Sequence, residues 1–118
     1  MASVKEQLVD LAKVEGIMSA VVVSRDGFVI EGVSSNGNID NEAVGAIISA
    51  GIGSSAVMGN ELKVGTMSQL MVECERGVIV VNFLGEDAVL ATVADLRANL
   101  GNVRYQVKKR ATAILAAL

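Results

Sequence analysis

Apolar Val4, Leu8, Leu11 and Ala12 recur at helical spacing near the start of the chain. Ser3 followed by Glu6 forms a capping box in front of them, in which the hydroxyl and the carboxylate reciprocally satisfy orphan amides of a first turn. The pattern predicts a short amphipathic helix that Gly16 stops. The period then changes. Ile17 to Ser24 is almost continuously apolar and β-branched, and Phe28 to Val33 resumes after Arg25-Asp26-Gly27. This reads as strand, tight turn, strand, with Asp-Gly supplying the positive φ that a hairpin needs. Ser34 to Asn38, rich in Ser, Asn and Gly, reads as a surface loop.

Asp40 is the expected N-cap of a second helix running to about Glu61. At about 100° per residue, Val44, Ile47, Ile48, Gly51, Ser55 and Met58 share one side, which should lie on a sheet. A different side carries Gly45, Ser49, Gly53 and Ala56, a smooth groove of small residues suited to the approach of a second backbone. Thr66–Cys74, Val78–Leu84 and Ala88–Val93 read as three further strands on short turns, hence an antiparallel meander. The middle one is apolar on both alternating faces, so helices should cover the sheet on both sides. A last helix carries Leu100, Val103, Val107, Ala111, Ile114 and Leu118 on one stripe, capped by Asp95 or Asn99. The expected order is helix, two strands, helix, three strands, helix, and the expected domain is single, over residues 1–118.

Composition sharpens this picture. Of the 118 residues, 52% are hydrophobic and 19% charged, against about 25% charged in an ordinary chain; the mean hydropathy is +0.51. The excess comes from 19 Val and 15 Ala rather than from the three aromatics, and some of this surface is expected to meet another subunit. The net charge of −3 and the pI of 4.9 argue against nucleic acid. Charge is unevenly spread: all 13 acidic residues lie at or before Asp95, among five basic ones, while five basic residues and no acid follow it. A basic last helix on an acidic body is expected.

With no His and one Cys, the chain excludes a Ser-His-Asp triad, a Cys-His dyad, an ordinary zinc site and an internal disulfide. Cys74 is expected to be a small buried hydrophobe in a strand, in a reducing compartment. Charges at Lys5, Glu6, Asp10 and Lys13 exclude a secretory signal, so a cytoplasmic location is expected. Ala43 to Met58 is uncharged but too short to span a bilayer, and no integral membrane association is expected. Gly51-Ile52-Gly53-Ser54-Ser55-Ala56 matches a loose dinucleotide fingerprint, but inside a helix rather than where a strand meets one, so no cofactor is expected. Glu73, Glu75, Glu86 and Asp87 read as solvated charges rather than an acid/base pair, and Lys108-Lys109-Arg110 as a solvated helix face.

Glu15-Gly16-Ile17 leading to Val21-Val22-Val23-Ser24-Arg25-Asp26-Gly27, the Leu84-Gly85 turn, and Ala98-Asn99-Leu100-Gly101-Asn102-Val103-Arg104-Tyr105 together resemble the roadblock / dynein light chain family across essentially the whole chain. The resemblance is to its bacterial and archaeal members, which are similar to the mutual-gliding-motility B protein. It implies an α+β, profilin-like α/β/α sandwich around a five-stranded antiparallel sheet, with the second helix on one face and the terminal helices on the other. It also implies a homodimer in which second helices pair and third strands meet edge to edge into a continuous sheet. Gly45, Ser49, Ile52, Gly53, Ala56, Met67, Gln69 and Met71 are then the expected interface.

Such proteins act on or beside small Ras-like GTPases and are not enzymes themselves. The resemblance therefore implies a homodimeric interaction module that binds and regulates a Ras-like GTPase, with no catalytic residue, metal or cofactor of its own. Asn41, Glu42, Arg25 and Arg76 are the expected partner-binding residues; the two arginines, on hairpin tips, are the candidates for an arginine finger. A structural light chain or scaffold without nucleotide discrimination is the first alternative. A small-ligand sensor is the second, and a large apolar cavity would favour it.

Overall fold

The structure is a computed structural model and describes residues 2–35 and 40–118; residues 36–38 of the expected loop lie outside the described residues. The elements are α1 (Val4–Ala12), β1 (Ile17–Ser24), β2 (Val29–Ser34), α2 (Asn41–Glu61), β3 (Gln69–Cys74), β4 (Gly77–Leu84), β5 (Ala88–Asp95) and α3 (Leu100–Ala117). The order matches the one read from the sequence. All strand pairs are antiparallel, in the spatial order β2-β1-β5-β4-β3. β3 is three residues shorter than expected, because Thr66 to Ser68 carry the chain in from α2 without pairing.

A side chain caps each helix start, although at α1 only the Ser3 half of the expected capping box forms among the described residues. Glu6 N–H donates to Ser3 Oγ (3.1 Å), and Asp40 Oδ1 accepts from the amides of Glu42 (3.0 Å) and Ala43 (3.3 Å). Asn99 caps α3, its Oδ1 accepting from Asn102 N–H (2.9 Å). Asp95 instead takes a bidentate pair with Arg97, Oδ2 lying 2.8 Å from Nη2 and 3.0 Å from Nε, and also accepts from Arg97 N–H at 2.9 Å.

These bonds, the side-chain one above all, hold the Asp95 carboxyl below its ordinary value of 3.8. A lowered folded value means stabilisation that is present above pH 3.8 and lost as pH falls through the lower, folded value. Arg97→Ala should therefore move the acid-unfolding midpoint, followed by circular dichroism, to higher pH while leaving the neutral plateau nearly flat.

The C-terminus of α2 has no sequence signal. Val64 N–H donates to Gly59 O (3.0 Å) and Lys63 N–H to Asn60 O (3.2 Å), a Schellman closure, and the left-handed position falls on Lys63 at φ 62. Glycine ordinarily occupies that position because it carries no Cβ. Lys63→Gly should raise stability by about 1 kcal/mol in urea titration.

Two cores flank the sheet. Leu8 and Leu11 of α1 and Val103, Val107 and Ile114 of α3 pack on Ile17, Ala20, Val22, Val80, Leu84, Ala88, Leu90 and Ala94. On the other face Ile48 and Ile52 of α2 pack with Val21, Val23, Val81, Val89 and Ala91. Arg110 ties α3 to α1 through Gln7 Oε1 (3.1 Å) and Asp10 (3.7 Å). Gly16, at φ +89, is not the helix stop; α1 ends at Ala12, with Lys13 as its C-cap. Gly16 instead receives Asp95 N–H on its carbonyl (2.8 Å), and lies so close to the turn before α3 that a Cβ on it would sit 2.5 Å from Ala98 N.

Candidate interaction surface

The two sides of α2 are assigned differently from the sequence expectation. Gly45 is buried, with its missing Cβ position 3.0 Å from both Gly27 O and Val29 Cγ2. Ser49 Oγ donates to Arg25 O (2.7 Å), and Ile52 is 4% exposed. The small residues thus seat α2 on its own β1–β2 hairpin. Small size at Gly45 and Ser49 is what lets the helix backbone approach that hairpin, so smallness there marks the intramolecular contact.

The side expected to face the sheet turns partly outward. Ile47 is 70% exposed and Met58 56%, and around Gly51 and Gly53 nothing lies within 4 Å of where a Cβ would stand. Val57 on α2, and Leu62 and Val64 just beyond it, are exposed too. These residues form an apolar, small-residue face that sequence reading missed. The available signal was the presence of apolar residues on more than one side of a 21-residue helix. A helical wheel cannot decide which of two apolar stripes faces inward. Glu42–Glu61 is also long and apolar enough to cross a membrane by length and composition alone.

On β3, alternation sends Leu70 and Val72 to the α2 side and Gln69 and Met71 to the α3 side. Leu70 and Met67 pack at the margin of the α2-side core, and Met71 at the margin of the other core. Among the described residues the outer edge of β3 has no partner strand. Gly53 lies open, whereas Ala56 is half-buried beside the hairpin. Glu42 is exposed in the first turn of α2; Asn41 opens the helix, and its side chain lies outside the described residues.

Arg25 and Arg76 are not brought together. Arg25 sits at the β1–β2 tip and Arg76 in the β3–β4 turn, which the strand directions put at opposite ends of the sheet. Arg25 is engaged on three sides: its Nη1 donates to Glu86 O (3.0 Å), its guanidinium stands 5.4 Å from the Phe83 ring centroid, and its amide donates to Asp87 O (3.0 Å). It joins the two hairpin tips at one end of the sheet. Arg76 is exposed.

Beside Arg25 lies an open cleft of about 1010 Å³, with Ala56, Asn60, Met67 and Phe83 opposite Asp26, Glu86 and Asp87. Its lining is mixed rather than apolar. Cys74 is exposed, contrary to the expectation of burial, because it is the last residue of an edge strand. Glu73, Glu75, Glu86 and Asp87 are all exposed. Among the described residues no three His, Cys, Asp or Glu side chains gather as metal ligands.

An uncharacterised protein of Methanocaldococcus jannaschii, MJ0310, is 38% identical over 109 residues, covering 92% of this chain and 94% of that one. A second from the same organism, MJ0714, is 34% identical over 109 residues, covering 92% and 91%. Among solved structures, Myxococcus xanthus MglB superposes with a TM-score of 0.88 at 18% identity, covering 96% of this chain and 92% of that one. An MglB described as having a tetrameric arrangement gives 0.87 at 22%, covering 95% and 85%. Acanthamoeba castellanii profilin IB, at 0.63 and 14% identity, covering 93% and 91%, bears out the profilin-like architecture. The Roadblock/LC7 domain model matches residues 3–94, from the cap of α1 to the end of β5, and the chain belongs to the Roadblock/LC7 family.

Proposed function

We propose that the chain is a homodimeric, non-enzymatic interaction module that binds and regulates a small Ras-like GTPase in the cytoplasm, with residues 1–118 as its single domain. The observation that carries this reading is the outward face of α2. Ile47, Val57 and Met58, followed by Leu62 and Val64, leave an apolar strip uncovered, and the sheet ends in an edge strand, β3, that has no outer partner among the described residues. A soluble chain covers such a strip and protects such an edge. A second copy related by a two-fold axis does both at once, because an isologous contact places like surfaces together. The paired helices then present a rigid platform to the GTPase.

One observation favours a scaffold over an activator that inserts Arg25. The Arg25 guanidinium is already held by Glu86 O and the Phe83 ring, and a finger must reach the partner's phosphates. Retention of a GTPase on immobilised protein, compared between GDP and a non-hydrolysable GTP analogue, tests the function. Retention mainly with the analogue supports regulation, equal retention supports the scaffold, and no GTPase in either state overturns the reading.

A further inference from the structure

We propose that the groove between α3 and strands β3 and β4 binds a phosphate monoester, held by Arg104 and Lys108. The groove is open to solvent, measures about 290 Å³ and is lined by Gln69, Asn82, Gly101, Arg104, Tyr105 and Lys108. It lies on the opposite face of the sheet from the α2 platform, and it borders the proposed dimer contact only through Gln69 of the edge strand β3.

Its charge is one-sided. Arg104 and Lys108 are four residues apart, hence neighbours on one side of α3. The chain has 13 acidic residues, yet none lines the groove and none occurs in α3. Among the described residues neither cation enters a salt bridge, whereas Arg110 on the same helix is paired with Asp10. Two like charges at this spacing repel one another, and an anion placed between them removes that repulsion. Guanidinium and ammonium together suit a phosphate, whose several oxygens accept from both.

The groove also has an unmet acceptor. Asn82 Oδ1 is buried and receives no hydrogen bond, which is uncommon for a buried amide oxygen. Turned toward the groove it lines, the Asn82 amide can meet a hydroxyl or N–H that a ligand carries near its phosphate, which an inorganic anion that only accepts does not offer. Tyr105, 62% exposed, adds an aromatic face at the rim. The volume, at the low end for small-ligand sites, suits one phosphorylated sugar or nucleoside. Such a phosphate arrives as a free metabolite or as a lipid headgroup.

The test is a titration of ¹⁵N-labelled full-length protein with glucose 6-phosphate, adenosine monophosphate, inorganic phosphate, and sulfate at matched ionic strength. Sedimentation with phosphatidylcholine vesicles, with and without a phosphoinositide, separates the lipid source from the free one. Shifts confined to the amides around Gln69, Asn82 and residues 101–108, stronger for an ester than for sulfate, are expected.

Arg104→Gln with Lys108→Gln should weaken binding by at least about tenfold. Lys109→Gln, on the same helix but outside the groove, should leave it unchanged. Asn82→Leu should reduce the preference for an ester over inorganic phosphate; a spectrum that stays dispersed confirms its fold. Absence of shifts with all four solutes and of vesicle binding overturns the proposal, as do shifts equal for sulfate and esters or spread to Arg76 and Lys109.

Discussion

Ile47→Asp combined with Met58→Asp should convert the dimer proposed above into a folded monomer. Each side chain is more than half exposed in the single chain, so the fold itself should change by no more than about 0.5 kcal/mol. Burying a carboxylate in an apolar contact is costly, and anchors of this kind are worth about 2 kcal/mol each when lost. A two-fold contact contains each of them twice, so the four lost anchors raise the dissociation constant roughly a millionfold. Sedimentation velocity of the wild type and the double variant over a dilution series checks this. Gly53→Leu is an independent probe, because among the described residues nothing beyond its own helix backbone lies within 4 Å of the new Cβ. A dimer that survives all three changes places the contact elsewhere.

Gly16→Ala should be strongly destabilising, because strain and a backbone clash coincide there. Its φ of +89 lies where an L side chain is strained, and the new Cβ meets backbone, Ala98 N at 2.5 Å and Ala98 Cα at 2.6 Å, which cannot rotate away. The turn before α3 or the β1 entry must shift, with a loss of roughly 2–4 kcal/mol. Gly51→Ala is the natural contrast: a helical glycine with open space around it, where alanine should add up to about 1 kcal/mol. Urea unfolding of both variants, compared at equal slope, measures the difference.

The elements were legible in the sequence wherever chemistry is local. Asp40 caps α2 because its carboxylate reaches amides two and three residues on, and the Arg25-Asp26-Gly27 turn follows from what Gly27 alone tolerates; neither depends on distant residues. β5 was legible as a strand, though its central place in the sheet was not a local property. The face of α2 was illegible for the same reason. Which of two stripes turns inward is decided by the hairpin tip at Gly27 and Val29, far along the chain, and Gly45 and Ser49 look alike whether they admit their own hairpin or a second molecule. The Lys63 cap left no trace, since a lysine in left-handed conformation is dictated by the loop behind it. Arg25 was correctly placed on a turn, but its capture by Glu86 and Phe83 needed the β1–β5–β4 order that brings the two tips together.

That order has a consequence for how the chain reaches its native state. β1–β2 and β3–β4 are neighbours in sequence and can each close as a hairpin within microseconds. β5, the last strand made, enters between them and pairs with β1 and β4 along its length. Until it does, both hairpins expose an unpaired inner edge rich in valine, and neither core has its central wall. Folding is therefore governed by non-local contacts, which places this small chain among slow folders. On the ribosome the most association-prone interval is the one before Ala88–Asp95 emerges, when two sticky half-sheets wait for a single strand.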